Sequence, residues 1–180
     1  GITANQEAQL CKELGIDLVI TDHHECKSEL PQAAALVDPH RKDQPQPVTE
    51  MAGVGVAFKL AAAIEGDQEK LLDQYCDFLC LGTVADVMPL TGENRTMVAR
   101  GLRPPANPKR VGIAARIAES RCAPRSVNAS SIGFTLAPRI NAAGRMGKIE
   151  LAVELFLTDD PIRAQELAKG LCDLNRQRQH

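Results

Sequence analysis

Asp17-Leu18-Val19-Ile20-Thr21-Asp22-His23-His24 decides the reading of this 180-residue chain. Leu18 to Ile20 is an apolar run without clean alternation, which suits a short strand covered on both faces, as in a parallel sheet. Three polar groups follow it without a gap. They therefore stand at the carboxyl end of a buried strand, where open α/β sheets hold their ligands. Upstream, Thr3 and Gln6 fit a capping box for a helix running to about Leu14, with Gly15 as its stop. Downstream, Ala35-Leu36-Val37 is a candidate second strand. A strand normally precedes the first helix of such a fold. The chain opens on the helix, so the expectation is that one or more strands of the sheet lie outside this sequence.

Working outward, Asp38 to Pro47 is a polar, proline-rich loop, and His40 within it is read as solvent-exposed. Helices are expected over Val54–Ile64, Glu69–Leu81 and Asn94–Leu102. Gly53 and Gly55 allow close backbone packing or approach to a ligand. Pro104, Pro105 and Pro108 break the pattern. Shorter helices follow over Ile113–Glu119 and Ser130–Leu136. Asp160 as N-cap and Pro161 at the first helical position open a last helix carrying Leu167, Leu171 and Leu174. The expected class is α/β, a parallel sheet flanked by helices and followed by a mostly helical segment that leads into a long connecting helix. The expected divisions are 1–103, a basic helical segment 104–158, and 159–180 as the start of that connecting helix.

Hydrophobic residues make up 44% and charged residues 24%, as in ordinary globular proteins. No apolar run approaches the length of a membrane span, no signal core opens the chain, and the expected location is the cytoplasm. The six cysteines, at 11, 26, 76, 80, 122 and 172, form no CxxC pair of a zinc site. Cys76 and Cys80 fall four apart on a helix and read as packed thiols. Net charge is −2, but Glu93 to Lys148 holds 11 Lys/Arg against 2 Asp/Glu. Such a segment is either a phosphate-facing surface or a solvated face. Aromatics are only 3%, so base stacking has little material, and any grip on nucleic acid falls to the backbone.

Three segments could carry chemistry. Asp22-His23-His24 offers a carboxylate and two imidazoles for metal or proton work, or is simply a polar loop. Asp86, in Gly82-Thr83-Val84-Ala85-Asp86-Val87-Met88-Pro89-Leu90, sits in an apolar run at a helix end. A carboxylate there is costly to bury unless paired, capped or bound to metal. Pro138-Arg139-Ile140-Asn141-Ala142-Ala143-Gly144-Arg145 places two arginines around small residues, which is either a phosphate grip or a turn with surface arginines.

Taken in order with Ala52-Gly53-Val54-Gly55-Val56-Ala57-Phe58, Gly92-Glu93-Asn94-Arg95 and Ile132-Gly133-Phe134, these segments resemble the RecJ-type nucleases of the DHH phosphoesterase superfamily. The resemblance covers nearly the whole chain. It implies 5′→3′ exonuclease action on single-stranded DNA in recombination and repair, with Mn²⁺ or Mg²⁺, two ions in the complete protein. It implies His23 and Asp86 as metal ligands, His24 beside the scissile phosphate, and Asp22 close to the metal or orienting a histidine. Arg139, Asn141 and Arg145 would contact substrate phosphate. A repair helicase or a single-strand-binding protein is the kind of protein partner it suggests, and no membrane. One departure matters. The family's Asp-x-Asp after the first strand, and a further Asp before the glycine that Gly1 matches, have no counterpart here. The chain is therefore expected to be a fragment with little or no nuclease activity alone. Other readings are a DHH phosphoesterase for oligonucleotides, cyclic dinucleotides or pyrophosphate, and a DHH-type scaffold without catalysis.

Overall fold

The computed structural model describes residues 1–43, 50–103, 110–120 and 127–179. The chain divides into two compact units, Gly1–Met97 and Val98–His180. Pro104, Pro105 and Pro108, where the sequence puts its break, lie outside the described residues, as do Pro45, Pro47 and Cys122.

In the first unit, helix α1 (Asn5–Glu13) leads into β1 (Val19–Thr21), which pairs in parallel with β2 (Ala35–Val37). The register matches Val19 to Ala35 and Thr21 to Val37. The Thr3–Gln6 capping box does not form. Ala4 occupies the N-cap with no side-chain bond, and its N–H is taken by the Gly1 carbonyl at 3.0 Å, so the helix starts one residue later than that box requires. Helices α2 (Gly53–Glu65) and α3 (Gln68–Ala85) pack against each other around Met51, Val56, Phe58, Ala62, Leu71, Leu72 and Leu79. Asp67 caps α3, accepting from the Lys70 N–H at 3.0 Å. Helix α3 runs four residues past the expected Leu81. Gly82 to Ala85 therefore close a helix, with Asp86 as its C-cap. Cys80 is buried on α3 and Cys76 half-buried. Helix α4 (Gly92–Gly101) brings Met97 to the same core.

The second unit is helical throughout its described residues. Helix α5 (Val111–Glu119) is followed by a three-residue turn α6 (Ala129–Ser131), a wide π-helical turn (Ile132–Leu136), α7 (Ala137–Arg145), α8 (Ile149–Leu157) and α9 (Pro161–Gln179). The Asp160 cap on α9 forms, accepting from the Ile162 N–H at 2.8 Å. Ala164, Leu167, Ala168 and Leu171 make the inner stripe of α9, at the spacing that keeps one helix face apolar. They meet Ala115 of α5, Ala143 of α7 and Ala152 and Leu155 of α8. Small side chains bring these helices close. A Cβ on Gly112 would fall 1.8 Å from the Leu155 carbonyl oxygen. Helix α8 has no counterpart among the sequence-based helices. The Pro138–Arg145 segment is also helix, not turn. Pro138 cannot donate to the carbonyl four residues back and its ring crowds that position, and the wider π turn just upstream, closed by Ala137 N–H to Ile132 O, accommodates it.

Candidate metal centre

The Asp22 N–H continues the ladder, donating to the Val37 carbonyl at 3.0 Å. The chain then leaves the sheet, and Asp22 organises the turn. Its Oδ1 accepts from the N–H of His23 at 2.8 Å and of His24 at 3.3 Å, and meets His24 Nδ1 at 2.6 Å. Its Oδ2 accepts from the Ile2 N–H at 2.5 Å. Burial pushes this carboxyl up, but the Ile2 N–H, the His24 ring and the N–H groups of His23 and His24 together outweigh burial. Asp22 is held well below the usual carboxylate range. Conversely the bond to Asp22, and then its charge, raise His24 above the ordinary imidazole value. With Nδ1 fixed on Asp22, the largely exposed His24 turns its Nε2 outward.

His23 is held differently. Its side chain is 16% exposed, and its Nδ1 lies 3.4 Å from Asp86 Oδ2. Gly53, the first residue of α2, stands directly behind the ring: a Cβ there would sit 3.2 Å from His23 Cδ2. The glycine thus gives the imidazole its room. The two histidine rings lie 4.3 Å apart and are tilted by 41°. Asp86 comes from the far end of α3. The helix closes by paired bonds, Val87 N–H to Val84 O and Met88 N–H to Thr83 O, with Val87 left-handed at φ 57°. That closure is a Schellman motif with valine where glycine is usual.

One ligand atom each from Asp22, His23 and His24 lie within 4.8 Å of one another, and Asp86 joins the group through His23. Imidazole with carboxylate is a mixed nitrogen–oxygen donor set, suited to a first-row divalent ion such as Mn²⁺. Within it the roles differ. Both Asp22 oxygens already accept hydrogen bonds, whereas Asp86 is 44% exposed, lies against His23 and adds its charge to the field on His24. Asp22 is thus committed to holding the turn and the His24 ring, while Asp86 keeps an exposed carboxylate beside His23. Residues 22–24 and 86 are thus brought together. Arg139, Asn141 and Arg145 all lie on α7 in the second unit. Asn141 and Arg145, four apart, share an exposed face. Arg139 points elsewhere, its Nη1 donating to the Thr135 carbonyl. Ala142 and Ala143 are fully buried and serve packing, while Gly144 is exposed.

His40 is not the exposed residue the sequence suggests. Its side chain is 25% exposed, 3.7 Å from Glu25 and 3.6 Å from Asp38. Asp38 ends β2 as Asp22 ends β1, is fully buried, and accepts from the His40 N–H at 2.8 Å. A polar residue directly after a short apolar strand is the signal that marks Asp38 as it marks Asp22.

Residues 1–83 match the DHH family, N-terminal domain. The single-stranded-DNA-specific exonuclease RecJ of Bacillus subtilis is 43% identical over 179 residues, 99% of this chain. Residues 1–83 are thus a DHH-family segment. RecJ of Escherichia coli is 36% identical over 191 residues, again 99% of this chain. The crystal structure of RecJ in complex with Mn²⁺ from Thermus thermophilus superposes with a TM-score of 0.84 over 99% of this chain, at 37% identity. A second, of RecJ with Mg²⁺ from the same organism, gives 0.71 over 92% at 36% identity. The chain spans 22% of the Bacillus relative, 33% of the Escherichia one and 27% of the Mn²⁺-complexed chain. Asp86 lies three residues beyond the matched domain. Among the described residues no helix is long and apolar enough to cross a membrane.

Proposed function

We propose that this chain carries half of the catalytic centre of a metal-dependent phosphodiesterase, a 5′→3′ exonuclease acting on single-stranded DNA. The observation that carries the reading is the convergence of Asp22, His23, His24 and Asp86 from two strand and helix ends. Its relatives are single-stranded-DNA-specific exonucleases over the same residues, and solved neighbours hold Mn²⁺ or Mg²⁺.

In this reading His23 and Asp86 hold a divalent cation. The ion supplies a Lewis acid for the phosphate and lowers the pKa of a water. The chain's own groups do the rest. Gly53 and Asp86 fix the His23 ring between them, so that one ring nitrogen has a set direction. Asp22 holds His24 by Nδ1 and favours its protonated form, which presents a positive Nε2–H to a phosphate oxygen. Asn141 and Arg145 steady strand phosphates from α7. Two donors make a weak site. By itself the chain is therefore expected to bind Mn²⁺ weakly and to hydrolyse little DNA.

A DNA substrate is consistent with a cytoplasmic protein, and the phosphate-handling groups suit a strand delivered by a helicase or held by a single-strand-binding protein. The test is digestion of 5′-labelled single-stranded DNA by the longer protein that contains this chain. His23→Ala and Asp86→Ala are expected to lower the rate by at least about 100-fold, in line with loss of a metal ligand or its support. Unchanged digestion in either variant overturns the assignment.

A further inference from the structure

The second unit holds a buried cation with two hydrogen-bond donors that find no partner among the described residues. Arg116, on α5, is 2% exposed. Its Nη1 donates to Cys172 Sγ at 3.5 Å, and its Nε and Nη2 have no hydrogen-bond partner among the described residues. A buried guanidinium with open donors is costly unless something anionic completes it.

Cys172, which carries the one bond to Arg116, is also a wall of a cavity of about 470 Å³. Around that cavity stand Arg139, Arg176 and Arg178, with Glu119 the one carboxylate. Asn175 lines it too and is 6% exposed, a buried amide facing a cavity. Arg178 Nη2 donates to Asn175 Oδ1 at 3.3 Å, which leaves the Asn175 amide hydrogens for another acceptor. Arg176 is held by Asp173, and Arg139 has committed one donor to Thr135. The excess of forked donors over carboxylates is the composition of a phosphate pocket.

We infer that this cavity binds a phosphate group, with Asn175, Arg178 and Arg139 donating to its oxygens and Arg116 supplying positive charge from behind Cys172. Only the source of the phosphate, a DNA strand, rests on the proposed function. The pocket stands on residues of the second unit alone.

The experiment is an NMR titration of the chain with inorganic phosphate, in EDTA so that the Asp22–His24 centre takes no part. Saturable binding is expected, with shifts centred on the Asn175 and Arg178 side chains. Arg116→Leu and Arg178→Gln should each weaken it at least tenfold. Arg163→Gln, which removes a cation of α9 already held by Glu154, should leave it unchanged. A ten-residue thymidine oligonucleotide that displaces phosphate identifies the strand as the source. Phosphate that binds and resists displacement identifies a free or small-molecule phosphate, and the pocket stands in both cases. The inference is overturned by absence of saturable binding, or by binding that Arg178→Gln does not weaken. It is equally overturned if Arg163→Gln weakens binding as much. If Arg116→Leu does not fold, the exposed Arg178→Gln decides. Loss of this binding leaves the Mn²⁺ reading of the first unit untouched, and the reverse also holds.

Discussion

Replacing Asp22 by Asn keeps the shape of the side chain and changes its hydrogen-bonding sign at one atom. The carboxylate accepts from three backbone N–H groups and from His24 Nδ1. An amide has one oxygen. If that oxygen faces His23 and His24, the NH₂ meets the Ile2 N–H, donor against donor. If it faces Ile2, the His23 and His24 donors are stranded. Either way at least one bond to a charged acceptor is lost, and a donor in a half-buried site goes unpaired. Such losses amount to about 2–3 kcal/mol. For a unit of about 100 residues that is a fall in melting temperature of roughly 10–20 °C in its transition. The gap should depend on pH with a definite sign. Asp22 is depressed in the folded state, so its contribution is present above its ordinary value of 3.8 and is lost as pH falls toward the lower folded value. His24 is raised, so its share is fully present below 6.5 and fades as pH rises through the raised folded value. The backbone bonds persist on the alkaline side. The gap is therefore widest near pH 5–6, narrower but present at pH 8, and smallest at pH 2–3. The assay is calorimetric or circular-dichroism melting in EDTA across that range. Equal melting temperatures at pH 6, or a gap that widens on acidification below pH 4, would refute the reasoning.

Further expectations follow from single contacts. Gly112→Ala adds a residue that helices favour by about 1 kcal/mol, yet its Cβ would collide with the Leu155 carbonyl. Denaturant unfolding should show a net loss of about 1–3 kcal/mol, and a stabilised variant would contradict the packing described. Val87→Gly removes left-handed strain from a β-branched side chain that is 86% exposed and has little packing to lose. The same measurement should show a gain of about 0.5–1 kcal/mol, after the added freedom of the unfolded chain is allowed for. Burial pushes the Cys80 thiol up to about 12. In the folded chain at pH 8 it should resist iodoacetamide, as followed by mass spectrometry, and react once the chain is unfolded. Labelling of native Cys80 at the unfolded rate would show α3 to be loosely packed.

The parallel strand and its polar exit were legible from the apolar run, but the expected cover on both faces is absent: in β1 only Ile20 is buried, and Val19 and Thr21 are exposed. A short apolar run followed at once by Asp, His and His leaves only the carboxyl edge of a parallel sheet for the polar groups. Asp86 was legible for a related reason, as a charge at the end of an apolar helix. The second unit was harder to read. Its helices pack through alanine and glycine, and rows such as Ala142-Ala143 or Gly112 carry no strong periodicity. Ala142 and Ala143 suggest a ligand approach in sequence and turn out to be helix contacts. Helix α8 escaped because Ile149-Glu150-Leu151-Ala152-Val153-Glu154-Leu155-Phe156-Leu157 is apolar on several faces and fits a strand as well as a helix. In sequence the basic segment reads as surface, yet Arg116 within it is buried. Charge counting locates a cation along the chain and says nothing of its depth. The partial burial of His40 is hidden for the same reason: its partners Asp38 and Glu25 differ from it in character but are near it in the fold.

The central claim is that His23 and Asp86 form part of a divalent-metal site. Paramagnetic broadening by Mn²⁺, read residue by residue in NMR spectra of the chain, tests it most directly and tolerates weak affinity. The account predicts broadening that begins at His23, His24, Gly53 and Asp86 at the lowest Mn²⁺, and its loss at those positions in both His23→Ala and Asp86→Ala. Broadening that begins elsewhere, or that persists around residue 23 in both variants, would contradict it.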